Sequence, residues 1–339
     1  MHEIDIFSSP IGLGHVTRDI AVVDEFQNIN SKFITGAGAS KILEKLKMKV
    51  KNVYNPPEFN VESGKLKNSA KWLWSYYQYY KECKEISKKI IDEDKPELII
   101  SDEDFASLSV AQENKITNVL ITDILETKFT SGFSSIIEKK MNKSMKSMIE
   151  KSDLVIIPEN GDNDGNIIRT GPIVRQTKFS REQLREKFFF DKKTVLIAIG
   201  GTSAGEFLID RTIKEIEKIN QDIEVCVVAG PALEKKFENI RNLGFIENLH
   251  EYIFASDVLI SLAGKSTIDE AKCYGTPSIF IPIKDHFEQE DNAKQEGFVF
   301  EDINRLNELI LEKLEDKRNA RKTDGAKIAA SNIEKLIKA

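Results

Sequence analysis

Residues 256–293 read SDVLISLAGKSTIDEAKCYGTPSIFIPIKDHFEQEDNA, and this stretch decides the fold. It holds two short apolar runs, 257–262 and 277–282, each followed by a polar loop that opens a helix. Runs of that length between turn residues are the doubly buried strands of a parallel α/β sheet. Ala263 and Gly264 end the first run, and Ser266, with Asp269 three residues on, reads as a capping box. The amides from Gly264 through Lys265 and Ser266 to Thr267 then face the loop. Such a helix start attracts phosphate, because unpaired N–H groups and the helix dipole both favour negative charge. Glu270, one turn in, would repel phosphate and suits a neutral diol such as a ribose. The second run leads into His286, Glu288, Gln289 and Asn292, side chains suited to sugar hydroxyls.

The stretch closely resembles the C-terminal signature of the GT-B glycosyltransferases, specifically the MurG-like UDP-N-acetylglucosamine transferases. The resemblance rests on Ala263, Gly264, Thr267 and Glu270, the turn Gly275-x-Pro277, the apolar run after it, and Gln289, Asn292 and Ala293. It implies an α/β fold of two Rossmann-like domains facing across a cleft, with Glu270 on the ribose and Gln289 on the donor sugar.

The size of the chain agrees with two domains, since 339 residues can bury two cores. With 40% hydrophobic and 31% charged residues and a net charge of −6, the chain has no global basic field, so nucleic acid is excluded as a partner. Cys83, Cys226 and Cys273 are too few and too scattered for a disulfide framework or a metal set, which points to a reducing cytoplasm. The chain enters a strand at once, without a signal sequence, and no apolar run reaches the ~20 residues that span a bilayer, so any membrane contact is expected to be peripheral.

From the N-terminus, 3–7 is a strand and SSPIGLGHVTRD, 8–19, is a loop running into a helix with Ile20, Val23 and Phe26 on its apolar face. Gly12 and Gly14 let backbone approach a ligand, and His15 stands where the helix begins. A dinucleotide fingerprint needs glycine at position 17, where Thr17 stands, and an acidic residue after the second strand, where Gly36 stands; NAD is rejected. The loop's Gly-x-Gly-His is similar to that of MurG-like enzymes. Gly12-Leu13-Gly14-His15 with Arg18 is closer still to the nucleotide-sugar hydrolases of pseudaminic acid synthesis, where the same histidine is associated with activating water. Transfer to an alcohol, transfer to water and a plain capping role for His15 all stay open on this loop.

Strands and helices then alternate. From Lys65 aromatic residues crowd among lysines, and Trp72, Tyr76 and Tyr79 or Tyr80 share a helical face, with Trp74 and Tyr77 nearby. An aromatic face with a basic rim suits a membrane surface; packing of these rings into the N-terminal core is the alternative. Lys139, Lys140, Lys143 and Lys146, on a helix over 133–151, extend that rim or form a solvated face. The strand at 97–101 delivers Asp102, Glu103 and Asp104 to its carboxyl end, where open α/β sheets place ligands, and one of them is expected to orient His15 or bind the acceptor; a helix cap is the alternative. Asp123 and Glu126 follow the next strand as weaker candidates. Asp102 and Asp104 have the spacing of the GT-A metal motif, but the GT-B resemblance implies a site without metal, and no cofactor is expected.

The first domain closes with the strand at 153–158, and ENGDNDG after it is a surface loop. Arg175, in Gly171-Pro172-Ile173-Val174-Arg175, resembles the hinge arginine that approaches the nucleotide in MurG-like enzymes. The apolar run 194–199 delivers Gly200, Gly201, Thr202, Ser203, Ala204 and Gly205 to a helix, a second phosphate cradle by the amide argument. A strand at 242–246 carries Phe245 and Ile246, which in the family lie against the base; Phe245 as plain core is the alternative. Gly264-Lys265-Ser266 is no Walker A loop, because the first glycine of that motif would fall at Leu259.

These readings combine into an acceptor-side domain over 1–171, a nucleotide-sugar domain over 172–317 and a C-terminal helix, 318–339, crossing back to the first. The expected activity is metal-independent, inverting transfer of a sugar from a UDP-sugar to a hydroxyl of a saccharide or lipid-linked acceptor, the sugar being N-acetylglucosamine by resemblance. The expected base is His15 or a carboxylate such as Asp102 or Asp104, and Gly14 belongs to the nucleotide-sugar set. Hydrolysis of the nucleotide sugar, or binding without turnover, are the alternatives. A cytoplasmic chain touching the inner face of the membrane through Trp72, Trp74, Tyr76 and Tyr79 completes the expectation.

Overall fold

The computed structural model describes residues 2–128, 135–201, 203–230, 237 and 240–338. The chain divides into two compact units, Met1–Glu58 with Asn68–Val174 and Thr323–Ala339, and Phe59–Lys67 with Arg175–Lys322.

Unit 1 opens with β1 (His2–Ser8), α1 (Gly14–Val23), β2 (Ile29–Gly36), α2 (Ala37–Lys45) and β3 (Val50–Tyr54). The chain then leaves it for a hairpin, β4 (Asn60–Glu62) and β5 (Lys65–Lys67), and returns through α3 (Ser69–Asp94), β6 (Leu98–Asp102), α4 (Phe105–Glu113), β7 (Thr117–Ile121), α5 (Ser135–Lys151), β8 (Leu154–Ile157) and β9 (Ile167–Arg169). The sheet runs β3-β2-β1-β6-β7-β8-β9 and its described pairings are parallel. Both faces are covered, which is why β6 and β8 are buried throughout. The chain winds one way from β1 to β3 and the other way from β6 onward, so the switch lies at the carboxyl ends of β1 and β6. Ser8 and Asp102 are paired there in register, and Ser9 N–H donates to Asp102 O at 2.9 Å.

Unit 2 contains α6 (Arg181–Phe188), β10 (Lys193–Ala198), α7 (Glu206–Ile216), β11 (Ile223–Val228), β12 (Arg241–Asn242), α8 (Leu249–Ala255), β13 (Val258–Leu262), α9 (Lys265–Tyr274), β14 (Ser278–Ile281), α10 (Phe287–Gln295) and α11 (Leu306–Glu315). Its sheet runs β12-β11-β10-β13-β14, again parallel, with the switch between β10 and β13. The last helix, α12 (Gly325–Lys338), belongs to unit 1: Ala329, Ala330 and Ile333 are buried and Thr323 Oγ1 donates to Pro172 O at 2.6 Å.

Two expectations change here. The hairpin at 60–67 lies with unit 2 rather than in the N-terminal stretch of 1–171, because Leu66 is buried in unit 2's core and Phe59 and Val61 pack on it; burying one leucine contributes about 2 kcal/mol. The aromatic face of α3 is also corrected. Trp72, only 9% exposed, donates its indole N–H to Pro57 O at 3.2 Å and stacks on Tyr76, and Tyr79 packs on the core around Phe7 and Ile99. Of the four rings expected at a membrane only Trp74, 56% exposed, faces solvent. The stripe at 72, 76, 79, 83, 87 and 90 repeats with the helix period, with Trp72, Cys83, Ser87 and Ile90 buried and Tyr76 and Tyr79 half-buried. Lys139, Lys140, Lys143 and Lys146 are exposed. No described helix is long and apolar enough to cross a membrane.

Candidate active site

In unit 1 the first turn of α1 and the end of β6 meet in a charged cluster. His15 Nδ1 lies 2.9 Å from Asp102 Oδ1, and Arg18, three residues along the same helix face, grips Asp102 with Nε at 2.6 Å from Oδ2 and Nη2 at 2.5 Å from Oδ1. Arg18 also reaches Asp123 Oδ2 at 3.1 Å through Nη1. Burial opposes the charge on Asp102, but the Arg18 guanidinium and then His15 outweigh it and hold the carboxyl at about 2. Arg18 Nη2 also lies 3.2 Å from His15 Nδ1; in the tautomer whose Nδ1–H donates to Asp102, Nε2 is the ring nitrogen that accepts. That nitrogen lies 3.7 Å from Glu103 Oε2. Beneath the cluster Ser8 Oγ donates to Asp19, whose carboxyl is raised well above the ordinary range by burial and then by the charge of Asp102.

This geometry corrects two expectations about a carboxylate base. Asp102 is fully buried and committed to Arg18 and His15, so it orients and polarises the imidazole and cannot itself take a proton from a substrate. Asp104 is the N-cap of α4: its Oδ1 accepts from Ala106 N–H and Ser107 N–H, both at 3.0 Å. Gly14 is the first residue of α1, and its carbonyl accepts from Thr17 Oγ1 at 2.9 Å. Glu126 is exposed.

In unit 2 the two glycine loops lie at the ends of the adjacent strands β10 and β13. The capping box expected at Ser266 and Asp269 is absent. Gly264 is the N-cap of α9 with no side-chain cap, and Asp269 pairs instead with Lys265 one turn away. The amides of Lys265, Ser266 and Thr267 therefore have no intrahelical acceptor, and their residues are partly exposed. A Cβ on Gly264 would meet nothing within 4 Å. Gly201 lies in the loop before the 3₁₀ turn Ser203–Gly205, and α7 is also uncapped at Gly205. Thr202 lies outside the described residues. A Cβ on Gly230, after β11, would stand 2.2 Å from Gly200 O, so only glycine lets these two loops touch.

Glu270 is buried, 6% exposed, and burial pushes its carboxyl up to about 7 against the pull of the Arg175 charge, with Asp269 adding to the rise. Arg175 donates through Nη1 to Glu247 O at 2.7 Å, and its own carbonyl accepts from Tyr274 Oη at 2.8 Å. Arg175 thus joins the loop after β12, through its guanidinium, to α9, through its backbone carbonyl. Phe245 and Ile246 lie in that loop and not on the expected strand, which ends at Asn242.

The cluster after β14 is only partly available to a sugar. His286 is 5% exposed and caps α10, accepting from Gln289 N–H at 3.5 Å, and burial drives its imidazole down to about 4. It is a structural cap, which corrects its expected place among the sugar contacts. Gln289 Oε1 accepts from Ile283 N–H at 3.0 Å, and Asn292 Nδ2 donates to Ala263 O at 3.1 Å. Those bonds orient both amides and leave the Gln289 NH₂ group and the Asn292 oxygen for a ligand. Glu288 is partly exposed at the first turn of α10.

Sequence reasoning set the cluster Asp102–Asp104 near His15 but did not place Arg18, Asp123, Asp19 and Ser8 around it. The i, i+3 spacing of His15 and Arg18 was the available signal; the contribution of Ser8 follows from strand pairing and left none.

Residues 194–338 match the glycosyltransferase family 28 C-terminal domain. An uncharacterized glycosyltransferase of Methanosarcina acetivorans is 27% identical over 328 residues, covering 87% of this chain and 84% of the relative. The UDP-N-acetylglucosamine--N-acetylmuramyl-(pentapeptide) pyrophosphoryl-undecaprenol N-acetylglucosamine transferase of Clostridium botulinum is 25% identical over 326 residues, covering 91% of this chain and 86% of that one. Among solved structures, the glycotransferase of kitacinnamycin superposes with a TM-score of 0.68 at 12% identity, covering 99% of each chain. With two Rossmann-like units, the chain has the GT-B fold of the solved glycosyltransferases it superposes on, and residues 194–338 of its second part match the glycosyltransferase family 28 C-terminal domain.

Proposed function

We propose that the enzyme moves a sugar, N-acetylglucosamine foremost, from a UDP-sugar to a hydroxyl acceptor in a single displacement that inverts the anomeric carbon. The observation that carries this reading is the start of α9, where uncapped amides at Lys265–Thr267 stand one turn from the buried carboxyl of Glu270. Amides at a helix start suit the diphosphate, and a carboxylate suits the ribose diol. The loop of Gly201, Thr202 and Ser203 is the second diphosphate contact, Arg175 with Phe245 and Ile246 the base side, and Gln289, Asn292 and Glu288 the sugar side. Charge developing on the leaving diphosphate is then taken up by helix dipoles and amides, with no divalent metal in the proposal.

In unit 1, Nε2 of His15 takes the proton from the acceptor hydroxyl as its oxygen attacks the anomeric carbon, while Asp102 and Arg18 hold the ring and its tautomer. A dyad of this kind serves water as well as an alcohol, so hydrolysis of the UDP-sugar is the second reading. An acceptor carried on a lipid stays within the proposal, with Trp74 as the membrane contact; the site of action would be the cytoplasmic face.

Titration calorimetry with UDP, ADP and GDP tests the donor. Preferential binding of UDP supports the reading, and equal or absent binding of all three overturns it. Incubation with labelled UDP-N-acetylglucosamine, with and without a membrane lipid extract, separates transfer from release of free sugar.

A further inference from the structure

The hairpin of β4 and β5 lies against the loop that joins β14 to α10 in unit 2. Leu66 N–H donates to Lys284 O at 2.9 Å and Lys284 N–H donates to Gly64 O at 2.8 Å, so the hairpin holds both backbone groups of Lys284. The ring of Phe59 packs on that of His286, with centroids 5.2 Å apart. Gly64 permits this approach: its φ is +79°, and a Cβ there would stand 2.8 Å from the rings of both Phe207 and Phe300. The Lys65–Asp285 ion pair at 3.1 Å is exposed at both ends and adds little.

Each of the four amides of the joining loop has an acceptor. Ile283 N–H donates to Gln289 Oε1 at 3.0 Å, Lys284 N–H to the hairpin, Asp285 N–H to Glu290 Oε1 at 3.0 Å and His286 N–H to Ile283 O at 3.1 Å. Asp285 has φ +66°, a conformation that a residue with a side chain keeps only where its neighbours impose it. Gln289 therefore takes its direction from the Ile283 amide, and the next peptide along is the one that the hairpin clamps.

We infer that the hairpin is the positioning element of the donor-sugar subsite: Gly64 and Leu66 fix Lys284, and through it the Ile283 amide that aims the Gln289 NH₂ group. The inference rests on the donor reading, which puts Gln289 on the sugar, and adds the residues that hold it there. No hairpin residue has to touch the sugar for this. The groups assigned to uridine and diphosphate, at Arg175 and at the starts of α7 and α9, stand on other loops of the unit, so the hairpin acts on the sugar end of the donor alone.

Titration calorimetry with UDP and with UDP-N-acetylglucosamine tests this on the full chain, on Gly64→Ala, Gln289→Ala and the two combined, and on Phe59→Leu, which keeps an apolar side chain beside His286. Gly64→Ala is expected to weaken UDP-N-acetylglucosamine roughly tenfold while UDP binds as before. The combined variant should lose no more than Gln289→Ala alone, because both changes act on one amide. Phe59→Leu should move the same way by a smaller factor, and it carries the test where Gly64→Ala does not fold. Equal weakening of both ligands, no change in either, or losses that add in the combined variant overturn the inference and leave the donor reading standing. A parent chain that binds neither ligand removes the donor reading, and the inference with it.

Discussion

His15 Nδ1 and Asp102 Oδ1 lie 2.9 Å apart although 87 residues separate them in the chain. The pair forms because β1 and β6 are neighbours at the switch point of the sheet, so the helix after one strand meets the carboxyl end of the other. Asp102→Asn keeps the shape and loses the charge that fixes the tautomer. We expect kcat to fall on the order of 10²–10⁴-fold with KM nearly unchanged, measured by steady-state transfer; an unaltered kcat would remove His15 from the proton-transfer step.

Two glycines in unit 2 separate ligand effects from folding effects. Gly264→Ala adds a methyl group that meets nothing in the protein, at φ −77°, so the melting temperature should hold while UDP affinity drops about tenfold or more. Gly230→Ala drives a Cβ against Gly200 O and should destabilise the unit by about 1–3 kcal/mol. Calorimetric melting and UDP titration of the two variants should show opposite patterns.

The carboxyl of Glu270 titrates at about 7 in the folded protein, raised chiefly by burial. A ribose diol donates to the ionised form, so UDP affinity should rise as pH passes upward through that value and flatten above it. Glu270→Gln should bind weakly with no such rise. A pH-independent affinity in the parent chain would take Glu270 off the ribose.

His250 and His286 are held neutral by burial, at about 3 and about 4, with Arg175 also acting on His250. Both values lie below the unfolded imidazole, so the unfolded chain binds their protons more tightly. The stability they confer is complete above the ordinary value of 6.5 and is lost as pH falls toward the folded values. Glu270 acts in the opposite sense, keeping its proton in the folded state between 4.5 and about 7. Each histidine loses about 2 kcal/mol of stability by about pH 5, a loss that Glu270 and the other buried carboxyls raised by burial, Asp5, Asp19 and Asp104, oppose. Denaturant unfolding of His250→Asn with His286→Asn should show a flatter pH profile than the parent; asparagine at 286 retains a capping acceptor.

Much of unit 2 was legible in the chain itself. Doubly buried strands announce themselves as short apolar runs, and the glycines at 200, 201, 205 and 264 mark the loops after two of them, because backbone conformation is a local property. The same locality misled at Ser266 and Asp269, where a capping pattern in sequence gave way to a Lys265–Asp269 pair on the formed helix, and on α3, where periodicity located a stripe of rings but not the side that would bury it.

What only the tertiary structure decided concerns long-range partners. Whether Asp102 is a base or an orienter depends on Arg18 arriving from another strand-loop-helix unit; whether His286 binds sugar or caps a helix depends on how deeply it is buried; and the hairpin at 60–67 serves unit 2 because Leu66 finds its core there. Composition and spacing fix the strand, loop and helix vocabulary through local sterics and periodicity. The protonation state and role of each charged side chain are set by burial and by neighbours distant in sequence, which exist only once the sheets have assembled.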